Sequence, residues 1–420
     1  MNIAFTAFGC KVNTSEDESF ASEIIQRGYT LSDIKDANII VVNTCAVTDT
    51  AAKKCENYIY NLKKKNPNIK IIATGCLASS INEDLKKIGA DIVVTNGSKE
   101  SLIKHIVSLT DGLENSNNTK FFGSSINLSS KKTRAFFKIQ DGCDANCTYC
   151  IIPKLRGNPE SKSINDAIDD FKKLLDNGYK EVVLVGIHIG MYGRGLGYSI
   201  YDLVEKISNI DGDYRIRLTS LECNEITDKL IDLISERREK ICPHLHIPLQ
   251  SGSNEILKKM GRFYESSQYI EVCNKAKSKI DNLTIGSDVI VGFPSEKEEN
   301  YIETIKTLKD ASSDFIHVFP YSDRFGTVAS LMDDKISEEV KKYRADNLRN
   351  LWQEVTLQSM KNTIGKEFTV LTEKNRKGHT ENYFNVNFNE EVESNKFVKV
   401  IIDSVDTTRN KPVLNCKILK

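Results

Sequence analysis

The stretch Asp141-Gly142-Cys143-Asp144-Ala145-Asn146-Cys147-Thr148-Tyr149-Cys150 decides how this chain reads. It follows an apolar run at 135–140 with the length and composition of a buried strand. Three cysteines spaced CxxxCxxC share one tight loop. Thiolates are soft ligands, so such a loop suits an iron–sulfur cluster or zinc. A structural zinc site takes four protein ligands, and this loop holds no fourth Cys or His. Three thiolates on a cubane leave one iron open to a substrate.

Outward from the loop, a strand-then-helix unit repeats six times. Strands are expected at 135–140, 181–185, 214–219, 244–249, 284–291 and 314–320, with a closing helix at 337–363. The repeat predicts a partial (β/α)6 barrel over 130–360, with its site at the carboxyl ends of the strands. Upstream, apolar runs at 3–8, 39–42, 69–73 and 91–94 alternate with helical stretches at 15–27, 48–65 and 81–88. That rhythm predicts an open parallel α/β domain over 1–125. The polar, Asn-rich segment 111–120 reads as a linker. Downstream, β-like runs at 367–371, 383–388, 397–402 and 412–418 predict a small β-barrel over 365–420, of the oligonucleotide-binding kind. The fold class is α/β.

A second set of cysteines lies upstream. Cys10, Cys45 and Cys76 each follow a predicted strand, in AFGC, VVNTC and IATGC. Carboxyl ends of parallel strands converge on one crevice, so the three point at one place. They are either ligands or small buried hydrophobes, since free Cys is often buried. Cys55, inside a helix, reads as a bystander away from the strand ends, and Cys223, Cys242, Cys273 and Cys416 as packing. Gly186, Ser220, Glu222, Gln250, Gly292 and Pro294 fall at the ends of barrel strands, where a barrel presents ligands. His188 and His246 read as structural, and Lys63–Lys65 and Lys131–Lys132 as solvated faces.

Bulk composition is that of an ordinary globular chain. Its 420 residues carry 58 Lys and Arg against 58 Asp and Glu, so the whole advertises no polyanion partner. Residues 361–420 are mildly basic, 11 against 8, which is compatible with RNA. No apolar run of about 18 residues would span a membrane. The N-terminus looks like a strand and not a signal peptide, so a cytoplasmic protein is expected. Eleven cysteines there favour metal chemistry over disulfides.

The motifs DGCDANCTYCIIPKLRG, HLHIPLQSGSNEILKKMGRFY, DVIVGFPSEKEE and HVFPYSDRFGT together resemble the radical S-adenosylmethionine methylthiotransferase family. The tail GHTENYFNVNF resembles that family's TRAM domain, an RNA-binding β-barrel. The resemblance implies two [4Fe–4S] clusters, on Cys143, Cys147 and Cys150 in the barrel and on Cys10, Cys45 and Cys76 as an auxiliary site. It implies S-adenosyl-L-methionine as cofactor, for which the strand-end residues Gly186, Ser220, Glu222, Gln250, Gly292 and Pro294 are the candidates by position. It also implies insertion of a methylthio group at adenine C2 in a tRNA anticodon loop, with an unnamed electron donor and sulfur source. Gly9-Cys10-Lys11-Val12-Asn13 resembles the branch acting on N6-threonylcarbamoyladenosine at position 37; other branches act on isopentenyladenosine or on a ribosomal protein. A substrate ending in a carboxylate needs a cation, and Arg156, Arg262 and Arg324 are the candidates by position. Tyr383 and Phe384 are the expected RNA contacts of the tail. A non-catalytic iron–sulfur protein that binds RNA is the competing class, which the open-iron loop and the barrel pattern disfavour.

Overall fold

The computed structural model describes residues 1–110, 133–408 and 411–419. The expected linker 111–120 and the Lys131–Lys132 pair lie outside them.

Five parallel strands form the N-terminal sheet: β1 Asn2–Ala7, β2 Thr30–Leu31, β3 Ile39–Thr44, β4 Lys70–Gly75 and β5 Ile92–Val94, in the order β2-β1-β3-β4-β5. Strand β3 is buried at every position, as a central parallel strand covered on both faces must be. The sequence reading missed β2, whose two residues are too short for any periodicity.

After β6 (Arg134–Lys138), the cysteine loop is braced by a two-stranded ribbon, β7 Gln140–Asp141 with β8 Glu160–Ser161. Then come β9 Glu181–Val185, β10 Arg215–Leu218, β11 His244–His246, β12 Thr284–Val291 and β13 Phe315–Pro320. Parallel pairing gives β6-β9-β10 and β11-β12-β13, and single parallel bridges such as Ser220 to His246 join the two halves. The six strands thus form an arc, a barrel left open between β13 and β6. Side chains alternate along it. Val182, Leu184, Ile216 and Leu245 point outward into the main core under the helices. Glu181, Arg215, Arg217 and His244 occupy the alternate positions and face inward.

Helix Lys11–Gln26 of the N-terminal domain lies against the open edge. Val12 packs on Val183 and Val185, and Ser15 Oγ donates to the carbonyl of Phe136 at 2.7 Å. One buried cluster of charges locks this seam. Glu16 Oε1 accepts from Lys138 and from Arg156, both at 2.9 Å, and Glu16 also pairs with Lys99. Burial alone would raise the Glu16 carboxyl, but the three cations hold it well below the usual carboxylate range.

The tail is a closed barrel, β14 Glu367–Glu373, β15 Lys377–Thr380, β16 Asn385–Phe388, β17 Phe397–Asp406 and β18 Val413–Ile418, in the order β14-β15-β16-β18-β17. The sequence reading had four strands here; β15, with Gly and His at its centre, carries no apolar alternation. This barrel plugs the amino-terminal end of the arc. Arg215 donates to the carbonyls of Thr369 (3.1 Å) and His379 (3.0 Å), Arg217 to that of Glu381 (3.0 Å), and Thr284 Oγ1 to that of Asn382 (2.6 Å). The aromatics expected to meet RNA are therefore elsewhere. Phe384 is buried in the small barrel's own core. Tyr383 takes a left-handed φ of 78° and lies against the arc, its ring centroid 4.7 Å from that of His244.

A candidate active site between two cysteine trios

Cys10, Cys45 and Cys76 come together at the carboxyl edge of the N-terminal sheet, one after each of β1, β3 and β4. The loops meet so closely that a Cβ on Gly9 would lie 2.5 Å from Cys45 Sγ, and one on Gly75 2.4 Å from the carbonyl of Thr44. Both glycines have positive φ, so neither tolerates a side chain. Asn13 ties the loops by donating to the carbonyls of Phe8 (2.8 Å) and Thr44 (3.1 Å). Burial pushes the Cys45 thiol up to about 12, and Cys10, Cys76 and Cys55 are near enough to add to it. Cys55 is thus no distant bystander. Its sulfur accepts from the Cys45 amide at 3.4 Å, because helix Asp49–Lys65 turns back over the loop that precedes it.

Cys143, Cys147 and Cys150 lie in the single loop after β6 and β7. Gly142 and Gly261, both at positive φ, let Asn158 and Asn146 approach where a Cβ would clash. The Cys147–Cys150 turn is pinned by Thr148, whose amide donates to Met260 O at 2.9 Å and whose hydroxyl donates to Lys259 O at 2.8 Å. Burial pushes the Cys150 thiol up to about 12, with Cys147 and Cys143 adding to it.

Between the trios lies a cavity of about 210 Å³. Val47 and Thr48, beyond Cys45, form one wall; Tyr149 and Cys150 form another; Gln250, Asp288 and Phe319 from the arc complete it. On its floor, Asp288 is flanked by His246 Nε2 and His317 Nδ1, each at 3.1 Å. These three are, among the described residues, a set of potential ligands whose atoms all fall within 4.8 Å. The sequence reading took His246 as structural and missed Asp288 and His317, which lie far apart in sequence and meet only through strand register. Burial would raise the Asp288 carboxyl, but hydrogen bonds from the two histidines hold it well below its ordinary range.

The other expected site residues scatter. Gln250 lines the cavity and has a φ of 64°, unusual for a residue with a side chain. Glu222 pairs with Arg262 at 2.6 Å. Gly186 faces the side chains of Gln140 and Ile189, and Gly292 faces Lys341 of helix Glu338–Lys361, where an added Cβ would clash. Ser220 sits at the bridge to His246, and Pro294 is buried in the turn after β12. His188 Nδ1 lies 3.8 Å from Cys143 Sγ.

Two of the three candidate arginines are already engaged. Arg156 is buried, with Nη1 on Glu16 and Asp141 (both 2.9 Å), Nη2 on Asn13 Oδ1 (2.7 Å) and Nε on Cys76 Sγ (3.4 Å). Arg262 donates to Cys147 Sγ at 3.2 Å besides pairing with Glu222. These two hold cysteine loops and are not free to grip a substrate. Arg324 donates only a long bond, 3.4 Å, to Val47 O, and its Nη2 has no partner.

Residues 137–308, which hold the cysteine loop and strands β7 to β12, match the radical SAM superfamily. Residues 2–97 match a family described as Uncharacterized protein family UPF0004. The chain is 35% identical to threonylcarbamoyladenosine tRNA methylthiotransferase MtaB of Thermotoga maritima, over 88% of this chain and 86% of that one. It is 36% identical to the protein of the same name from Aquifex aeolicus, over 96% and 100%. It is also 34% identical to tRNA-2-methylthio-N(6)-dimethylallyladenosine synthase of Thermodesulfovibrio yellowstonii, over 98% and 95%. The chain belongs to the radical S-adenosylmethionine methylthiotransferase family. Its cofactors are two [4Fe–4S] clusters and S-adenosylmethionine. The methyltransferase TsrM of Kitasatospora setae shares the fold, with a TM-score of 0.56 at 11% identity over 79% of this chain and 77% of that one.

Both trios fit such clusters. Each offers three convergent thiols, and each has one arginine donating to a sulfur, the kind of second contact that orients a ligand and steadies charge on it.

Proposed function

We propose that this enzyme inserts a methylthio group at C2 of N6-threonylcarbamoyladenosine 37 in the anticodon loop of tRNA, in the cytoplasm. Cys143, Cys147 and Cys150 hold the cluster that opens S-adenosylmethionine, and Cys10, Cys45 and Cys76 hold the auxiliary one. When bound, these groups supply a carbon radical and a sulfur donor. The protein's own part is positional. The observation that carries the reading is the cavity with Val47 and Thr48, beyond Cys45, on one wall and Tyr149 and Cys150 on another, so that a base seated there would stand near both cysteine loops. Gln250 and Asp288 offer polar atoms to a cofactor or base there, and Tyr149, Ile290 and Phe319 give it apolar walls. An anticodon-loop adenine can be unstacked into such a cavity more cheaply than a base in a duplex. Of the three arginines, Arg324 keeps a free nitrogen and is available to an anionic group of the substrate.

The relative named for dimethylallyladenosine is about as similar as those named for threonylcarbamoyladenosine, so the branch needs a direct test. Reconstituted enzyme is offered tRNA bearing the threonylcarbamoyl group, tRNA bearing isopentenyl, and the ribosomal protein. Methylthiolation of the first is expected. Product only on the second or third would overturn the substrate while leaving the radical chemistry standing.

A further inference from the structure

We infer that Lys11 grips the carboxylate of the threonylcarbamoyl group and thereby selects the substrate, an inference that rests on the substrate reading above. Lys11 directly follows Cys10 and opens helix Lys11–Gln26. The next residue, Val12, packs on Val183 and Val185 of the arc. This brings the Cys10 loop into the arc, and Lys11 Nζ ends 5.8 Å from the centroid of the Tyr383 ring. Tyr383 forms a floor there, with the Arg217 guanidinium 4.7 Å from its centroid.

The other cations around this floor each lie against a carboxylate. Arg215 and Arg217 pair with Glu181 at 2.6 and 2.8 Å. Arg134 and His379 both lie against Glu373, at 3.4 and 3.2 Å. Lys11 is exposed and has no carboxylate partner among the described residues. It is an exposed positive charge over the Tyr383 floor, one residue along the chain from Cys10.

Ligand chemistry matches this placement. In N6-threonylcarbamoyladenosine the ureido N–H on the threonyl side can close a six-membered hydrogen-bonded ring onto N1, which carries the threonyl group to the N1 edge of the base, the edge that adjoins C2. The group that meets the carboxylate must then stand beside the sulfur donor, and Lys11 is one residue from Cys10. An isopentenyl chain in the same space would desolvate the ammonium without pairing it, so the same residue rejects the apolar analogue.

The test uses holoenzyme with both clusters and reads KM, kcat and tRNA affinity. Lys11→Met should raise KM and Kd for threonylcarbamoyl tRNA about tenfold, the order of one charge-assisted hydrogen bond, with wild-type iron content. Lys11→Arg should restore most of the loss. Wild-type enzyme given tRNA whose threonyl carboxylate is methyl-esterified should lose as much, and Lys11→Met should lose nothing further on that substrate. Unchanged KM and Kd in Lys11→Met would overturn the inference, as would a loss confined to Arg324→Ala. Wild-type enzyme that modifies only isopentenyl tRNA would instead bring down the substrate reading itself.

Discussion

The two cysteine trios are built in opposite ways. In the barrel, three cysteines within eight residues share one loop, shaped by Gly142 and Gly261 and pinned by Thr148. In the N-terminal domain, 66 positions separate Cys10 from Cys76, and they meet only because a parallel sheet ends its strands along one edge. The local loop needs its own turns and the one segment, 259–262, that pins it, whereas the dispersed trio needs the whole sheet and the seam behind it. The difference teaches where each site is vulnerable: the first to its loop and that segment, the second to packing across a domain.

The largest expected effect tests whether the trios are independent. Replacing Cys143, Cys147 and Cys150 with Ala should remove half the iron and abolish cleavage of S-adenosylmethionine. Replacing Cys10, Cys45 and Cys76 should also remove half the iron and abolish methylthio product, yet leave cleavage measurable. Iron analysis and 5′-deoxyadenosine assays on both proteins decide it. Loss of all iron from either folded variant would show one shared site.

The next effect concerns the seam. Glu16 is fully buried among Lys99, Lys138 and Arg156. Glu16→Gln removes the carboxylate that these three cations share, leaving Asp141 to Lys138 and Arg156, and should cost about 3–5 kcal/mol in denaturant unfolding. Because the folded-state carboxyl is held down, its stabilisation is present above the ordinary glutamate range, about pH 4.3, and fades as pH falls below it. Wild type should therefore lose its advantage over Glu16→Gln on acidification. Arg156 loses a partner in the variant, so iron should leave the N-terminal trio before the barrel trio. A variant of wild-type stability whose advantage over pH is flat would show the seam contributes nothing.

Legibility followed the same contrast. CxxxCxxC could be read at once because it is local, and the arc's strands were legible as apolar runs at a regular spacing. Convergence of Cys10, Cys45 and Cys76 was also legible, since the strand-end rule needs only a sheet type. What escaped depends on tertiary register. Asp288 meets His317 because β12 and β13 align them, and no spacing in the chain announces that. Arg156 and Arg262 sit at the expected end of the barrel but turn toward sulfurs and carboxylates, a choice of side-chain direction that sequence does not encode locally. Tyr383 and Phe384 looked like an RNA platform because a small basic barrel usually exposes aromatics. Here the barrel docks under the arc and spends Tyr383 on the contact. Removing the tail would uncover Arg215 and Arg217, so truncation disturbs the arc along with any RNA contact.

A finer comparison sets the two arginines against each other. Arg156→Lys should shift the midpoint potential of the N-terminal cluster alone, and Arg262→Lys that of the barrel cluster alone. In both cases the shift is toward more negative values, because a lost N–H···S bond no longer stabilises the reduced state. Lysine keeps the charge but not the fork that reaches a sulfur and a carboxylate together. Redox titration followed by electron paramagnetic resonance separates the two; matching shifts in both clusters from either variant would refute the one-to-one assignment.

The smallest effect belongs to Cys55. Its sulfur accepts the Cys45 amide at 3.4 Å, and its own thiol reaches back toward the Cys45 carbonyl at 3.9 Å. Cys55→Ala leaves that amide without its acceptor in a buried place, at a cost of about 1–3 kcal/mol. Cys55→Ser supplies a shorter, harder acceptor and should recover part of it. Neither change removes one of the three convergent thiols, so iron content should stay at the wild-type value while the unfolding midpoint falls. The comparison with the barrel trio is what makes the measurement useful. Among the described residues no sulfur outside its own loop backs Cys150 in this manner, so a Cys55 variant should speed loss of iron to a chelator from the N-terminal site and leave the barrel rate alone. Loss of a whole cluster in Cys55→Ala would mean instead that this sulfur is itself a ligand, and the dispersed site would then hold four cysteines with no open iron.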